Sequence, residues 1–109
     1  MKSYSVIVTP EAQAGIRESF LYIRARAPLN AERWLKQLYA QIDTLSRFPE
    51  RCAFAPERAW LEEGLRHLIF KSHRVVFHVD RENDKVYVLH VRHASRRAVG
   101  EPEPPDEQN

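Results

Sequence analysis

The chain reads as an α+β domain of order β-α-α-β-β-β, a helical hairpin packed on one face of a small antiparallel sheet. Three observations lead there. A short period-two run lies at Tyr4–Thr9, and two apolar stripes at helical spacing fill positions 10–48. The last third, Leu65–Arg97, alternates apolar and polar residues in three closely spaced runs. A helical pair bracketed by strands with short connections buries its stripe most simply on a single sheet.

In order, Tyr4, Val6 and Val8 alternate with Ser5, Ile7 and Thr9 as a first strand. Thr9-Pro10-Glu11 is a helix start: a hydroxyl to cap, a proline whose missing N–H would have no partner, and an acid at the positive end of the dipole. Ala12, Ile16, Phe20, Ile23 and Ala27 carry that helix to about Arg26. Pro28 is expected to stop it and Asn30 to cap the next. Ala31, Trp34, Leu35, Leu38, Ile42, Leu45 and Phe48 form the second stripe, closed by Pro49. The short link makes the two helices antiparallel neighbours. Residues 50–64 show neither period and are expected to be a surface connection with Phe54 or Trp60 tucked inward. Three strands close the domain. Leu65–Phe70 is followed by a hairpin with Asn83-Asp84 at its turn. In it Val75, Phe77 and Val79 face away from Val76, His78 and Asp80. Tyr87, Leu89, Val91 and His93 are expected opposite Val86, Val88, His90 and Arg92.

A hydrophobic content of 43% and a charged content of 29% over 109 residues fit one ordinary globular domain. No apolar run approaches the ~18 residues of a membrane span, and MKSYSVIV lacks the cleavage site of a signal peptide. Cys52 has no second cysteine to pair with, which makes a cytoplasmic setting the expectation. Residues 98–109, AVGEPEPPDEQN, are expected to be a disordered acidic tail beyond a domain at 1–97. The domain holds all 17 Lys and Arg against 11 of the 15 acids, a net +6. Eight of these cations, against three acids, and all five histidines fall in Leu65–Arg97, so an exposed face of the final sheet would suit an anionic partner.

The usual catalytic signatures are absent: no phosphate-cradling glycine loop, no CxxC, no HExxH, no nucleophile elbow. His90 and His93, three apart on a strand, point to opposite faces, so neither a metal nor another cofactor is expected. What remains is a cluster of Arg, Lys and His. It could stabilise a phosphate and move protons in RNA cleavage. It could equally bind a phosphate or an acidic protein surface without chemistry.

The same residues resemble a family. Gly64-Leu65-Arg66, then Ser72-His73-Arg74-Val75-Val76-Phe77-His78-Val79, then Val86-Tyr87-Val88-Leu89-His90-Val91-Arg92-His93 with Arg96-Arg97, are similar to the RelE/ParE toxin superfamily over about residues 3–97. The resemblance implies the toxin of a type II toxin–antitoxin pair, used in plasmid stabilisation and growth arrest and held in a hetero-oligomer by a cognate antitoxin. ParE-like members inhibit DNA gyrase by binding; RelE-like members cut mRNA on the ribosome. The nuclease set of that second branch comprises two strand lysines, a strand Arg, a basic residue after the last strand and a terminal Tyr. Arg74 matches the strand Arg, but Leu65 and His67 stand at the lysine positions and no Tyr follows Tyr87. The resemblance therefore favours a non-enzymatic gyrase inhibitor, with an endoribonuclease using His93, Arg74 and Arg96 as the alternative. Candidate target-binding residues are Arg66, Lys71, His73, Arg92, His93, Arg96 and Arg97. Candidate antitoxin-binding residues are Phe20, Ile23, Trp34 and Leu38.

Overall fold

A computed structural model describes residues 2–101 of the chain. Its order is β1 (Ser5–Val8), α1 (Pro10–Arg26), α2 (Pro28–Asp43), β2 (Arg66–Phe70), β3 (His73–Asp80) and β4 (Lys85–His93), with three short 3-10 turns between α2 and β2. The α+β order and the helical hairpin on one sheet face are as the sequence predicts. Strands β2, β3 and β4 form the expected antiparallel meander. The first strand adds a parallel pair along β4, so the sheet is mixed, in the order β1-β4-β3-β2.

The Thr9 side chain accepts a hydrogen bond from the Ala12 amide at 3.3 Å and caps α1, with Pro10 in the first turn. The junction between helices differs from expectation. Ala27 alone separates them, ending α1 and preceding α2, and Pro28 opens the second helix. No side chain caps α2, so Asn30 lies inside it. Proline breaks a helix in its interior but suits its first position, where no N–H is needed. The second stripe also stops early. The α-helix ends at Asp43, Leu45 is buried in a 3-10 turn, and Phe48 is 67% exposed at φ 46°.

The main core lies between hairpin and sheet. Ala12, Ile16, Trp34, Leu38 and Ile42 pack onto Phe70, Val75, Phe77, Val86, Val88 and Val91. The other sheet face is not bare. Ala55, Leu65 and Val76 form a second small cluster with Leu89, beneath the connection that precedes β2. That connection is stitched to the β2 edge by an Ala55 amide bond to Leu65 O and a His67 amide bond to Ala53 O. Residues 98–101, assigned above to the tail, lie against the body; 102–109, and the disorder expected of them, lie outside the described residues.

One irregularity governs the rest. Val76 pairs with His90 but Phe77 pairs with Val88, so Leu89 is an extra residue in β4. This β-bulge shifts the alternation by one. Val86 and Val88 face the helices as strict alternation requires. Val91 and His93 then join them on that side, while Arg92 pairs with Arg74 on the other. The grouping of Val91 and His93 with Tyr87 and Leu89 is thereby corrected. Gly15 in α1 meets the strand just past the bulge, where a Cβ would overlap the Val91 carbonyl oxygen. Gly15→Ala is expected to cost about 1–3 kcal/mol by overpacking, read from urea denaturation. An unchanged midpoint would mean that helix and bulge are not held in this contact.

Candidate functional site

The bulge and the two-residue Lys71-Ser72 turn bring side chains together at one end of the sheet. His73 and His93 are directly opposite on β3 and β4, and Glu18, Ser19, Tyr22, Ile23 and Trp34 descend from the hairpin. Together with Lys71, Ser95 and Arg96 they line a cleft of about 670 Å³. His73 is the floor, only 6% exposed. Its Nε2 lies 3.1 Å from the Ser19 hydroxyl, and its ring is 5.0 Å from Trp34 and 5.3 Å from His93. The buried Nδ1 has no hydrogen-bond partner among the described residues. Burial, then the neighbouring His93, lowers the His73 pKa and keeps the ring neutral near pH 7. His93 is exposed, and its Nδ1 accepts from the Ser95 amide at 3.0 Å, with the Ser95 hydroxyl 2.6 Å away. At the rim, the Lys71 ammonium donates to Gln37 at 2.7 Å and Arg96 pairs with Glu18 at 2.9 Å.

The opposite face holds a different arrangement. Arg74 donates two parallel bonds to Glu57, at 3.0 and 2.7 Å, and a third to His67 Nδ1 at 3.1 Å. Glu57 has no exposed surface and also accepts the Val99 amide at 2.8 Å. Trp60 Nε1 donates to Val99 O at 2.8 Å, which fastens the segment after β4 over this pair. Burial alone would raise the Glu57 pKa; the bonds from Arg74 and Val99 outweigh it and bring it down to about 2. Burial and Arg74 both lower the pKa of His67. Arg92, beside Arg74, keeps a buried Nε with no partner among the described residues.

The sequence-predicted residues therefore divide into groups. Lys71, His73, His93 and Arg96 converge on the cleft, with Ile23 and Trp34 on its wall. Arg74 and Arg92 lie on the other face. Arg66 is turned onto the Glu50 and Cys52 carbonyls, and Arg97 stands 3.7 Å from Glu101. Phe20 lines a separate shallow groove on the hairpin, and Leu38 is fully buried in the core with no surface to offer a partner. Glu57, Ser19, Ser95 and Val99 were not singled out by the sequence. Among the described residues no cluster of three or more His, Cys, Asp or Glu could hold a metal, and no helix is long and apolar enough to cross a membrane.

A helical hairpin on a small mixed sheet thus carries a polar cleft at one end and a sealed Arg–Glu pair on the far face. The model of the ParE toxins of type II toxin–antitoxin systems (parDE) matches residues 6–98, and the chain belongs to that family. Among solved structures it is similar to a chain of the chromosomal ParDE toxin–antitoxin system from P. aeruginosa. There the TM-score is 0.72 at 16% identity, covering 87% of this chain and all of that one. It is also similar to a chain of the RelBE2 toxin–antitoxin complex from Mycobacterium tuberculosis, with a TM-score of 0.64 at 24% identity, covering 87% and 97%. Identities this low establish likeness of fold. No protein of curated function matches the chain.

Removing one partner of a buried pair strands the other's charge. Glu57→Ala is expected to cost about 3–5 kcal/mol in urea denaturation; a loss below about 1 kcal/mol would deny the pair that role. The native carboxyl titrates near 2 and the unfolded one near 4.5, so the unfolded chain binds more protons on acidification. Stability due to Glu57 is thus complete above about pH 5 and drains away as pH falls toward 2. Glu57→Gln should flatten that part of the stability–pH curve.

Proposed function

We propose that the chain is a toxin that inhibits DNA gyrase by binding it, without chemistry of its own, and that a cognate antitoxin silences it. The ParE family membership supplies the class. One observation carries the choice of mechanism: Arg74, the one clear match to the nuclease set, is locked by Glu57 beneath the segment that closes that face. A guanidinium bonded on both arms to a buried carboxylate has no charge left for a phosphate in transition. Leu65 and His67 beside it offer no lysine. The antitoxin partner follows from the family and from the two similar structures, both described as toxin–antitoxin systems or complexes. Supercoiling by purified gyrase should fall when the protein is added in molar excess and recover with antitoxin. Full supercoiling at high excess would remove the proposal.

A second reading rests on the cleft. His93 is exposed and oriented by Ser95, next to a neutral His73 in a cleft that Lys71 and Arg96 also line. Such a set supports proton transfer near a phosphate, as a ribosome-dependent mRNA endonuclease needs. On this reading His93→Ala abolishes cleavage of transcripts in a translating extract. Intact transcripts with the unaltered protein would dismiss it.

A further inference from the structure

The connection between α2 and β2, away from the cleft, presents a surface that neither reading uses. It carries Arg47, Phe48, Arg51, Phe54 and Arg58, all exposed, and borders Arg66. We infer that this Phe–Arg surface docks onto an acidic patch of the protein whose inhibition makes the chain toxic. The inference rests on the toxin reading but not on the identity of gyrase.

Phe48 is 67% exposed with φ 46° and ψ 56°, a left-handed conformation in which a bulky side chain is strained. The surrounding chain holds it there. Pro49 behind it is buried, and one arm of the Arg51 guanidinium donates to the carbonyls of Thr44, Arg47 and Phe48 at 3.3, 2.9 and 3.2 Å. The other arm reaches the Thr44 hydroxyl at 2.7 Å. The Phe48 backbone is thus held in a strained conformation that leaves its side chain largely exposed. Phe54, 45% exposed, lies under two guanidiniums, Arg58 at 4.5 Å and Arg66 at 4.1 Å from its centroid. Arg66 is itself held by the Glu50 and Cys52 carbonyls. The Phe54 ring and the Phe48 backbone are therefore preorganised, which lowers the ordering cost of association.

Charge decides the partner's chemistry. Of the four acids in this connection, the two among the arginines are engaged, Glu50 with Arg81 at 2.6 Å and Glu57 with Arg74; Glu62 stands 3.4 Å from His78, and Glu63 is exposed beyond the last of these arginines. Asp43 remains at the border, beside Arg47 and Arg51. Arg47 and Arg58 make no ion pair among the described residues. Guanidinium edges take carboxylates or phosphates alike, but a protruding phenyl ring needs an apolar pocket, which a folded protein has and a phosphate backbone lacks. Aromatic and arginine anchors dominate protein interfaces for the same reason.

The test uses the full chain, induced alone, with Phe54→Ala/Arg58→Glu and Phe48→Gly as separate variants. Circular dichroism and thermal melting verify folding, and Phe48→Gly should melt no lower than the unaltered protein because glycine accepts the left-handed backbone. Each variant should need about tenfold more inducer to arrest growth, the loss expected of an interface anchor. Arg58→Lys with Phe54 retained should arrest growth at nearly the inducer level of the unaltered protein. Arrest equal to the unaltered protein by both folded variants, or no arrest by the unaltered protein, would overturn the inference. So would tight binding of a labelled single strand of about 20 nucleotides that the double variant loses, since that assigns the surface to nucleic acid. If the variants lose arrest while the unaltered protein leaves supercoiling untouched, the docking surface stands and gyrase is the wrong target.

Discussion

The bidentate bond between Arg74 and Glu57 is the constraint from which the rest of the far face follows. Strand β3 needs a side chain at position 74 on the side away from the helices, and a guanidinium buried there is costly without a partner. The partner comes from a segment with no helix or strand period, so that segment must lie flat on the sheet for the charge to be met. Its descent buries Ala55 against Leu65 and Val76, and the Glu57 oxygens then have room for one more donor, the Val99 amide. A surface connection, a strand arginine and the segment after the last strand are thus tied to a single carboxylate.

The β4 bulge does for the near face what the ion pair does for the far one. Without the extra residue, His93 would share a side with Tyr87 and Leu89, and Arg92 would face the helices. With it, the two histidines meet beneath the hairpin and the two arginines meet on the other side. The polar cross-strand pairs at this sheet end are sorted by type, imidazoles in the cleft and guanidiniums outside it. The near face has Trp34 and Ser19 to accept neutral rings. The far face has Glu57 to accept a charge.

Much of this was legible beforehand, and the failures have local causes. Element order, the Thr9 cap and the hairpin stripe follow from period and capping chemistry, which act within a turn or two. Pro28 reads as an end in the sequence although proline is both breaker and starter, and only the tightness of the junction at Ala27 decides between the two. The bulge left no mark in the β4 sequence, since Leu89 is an unexceptional strand residue; Gly15, far away in the chain, was its only trace. Glu57 had a faint signal. Pro-Glu-Arg occurs twice, at 49–51 and 56–58, and both copies form 3-10 turns whose glutamate holds an arginine from β3 or the turn beyond it. A seven-residue repeat inside an apparently patternless loop escapes any reading of loops by composition rather than by spacing.

Counting cations by sequence treats every arginine as available, and the fold shows why that misleads. Arg74 is consumed by a carboxylate, Arg51 and Arg66 by backbone carbonyls, Arg96 and Arg81 by surface acids. The carbonyl-bound pair differ from the rest: hydrogen bonds to neutral oxygens fix a guanidinium in place without cancelling its charge. Arg51 and Arg66 are therefore both rigid and still cationic, and each stands beside an exposed phenylalanine. Meanwhile the final sheet, the most basic stretch by composition, has lost Arg74 to an internal partner and half-buried Arg92. Guanidiniums not cancelled by an acid thus stand not only on the sheet, the stretch richest in cations, but also between positions 47 and 58 of the loop that sequence alone reads as a mere connection.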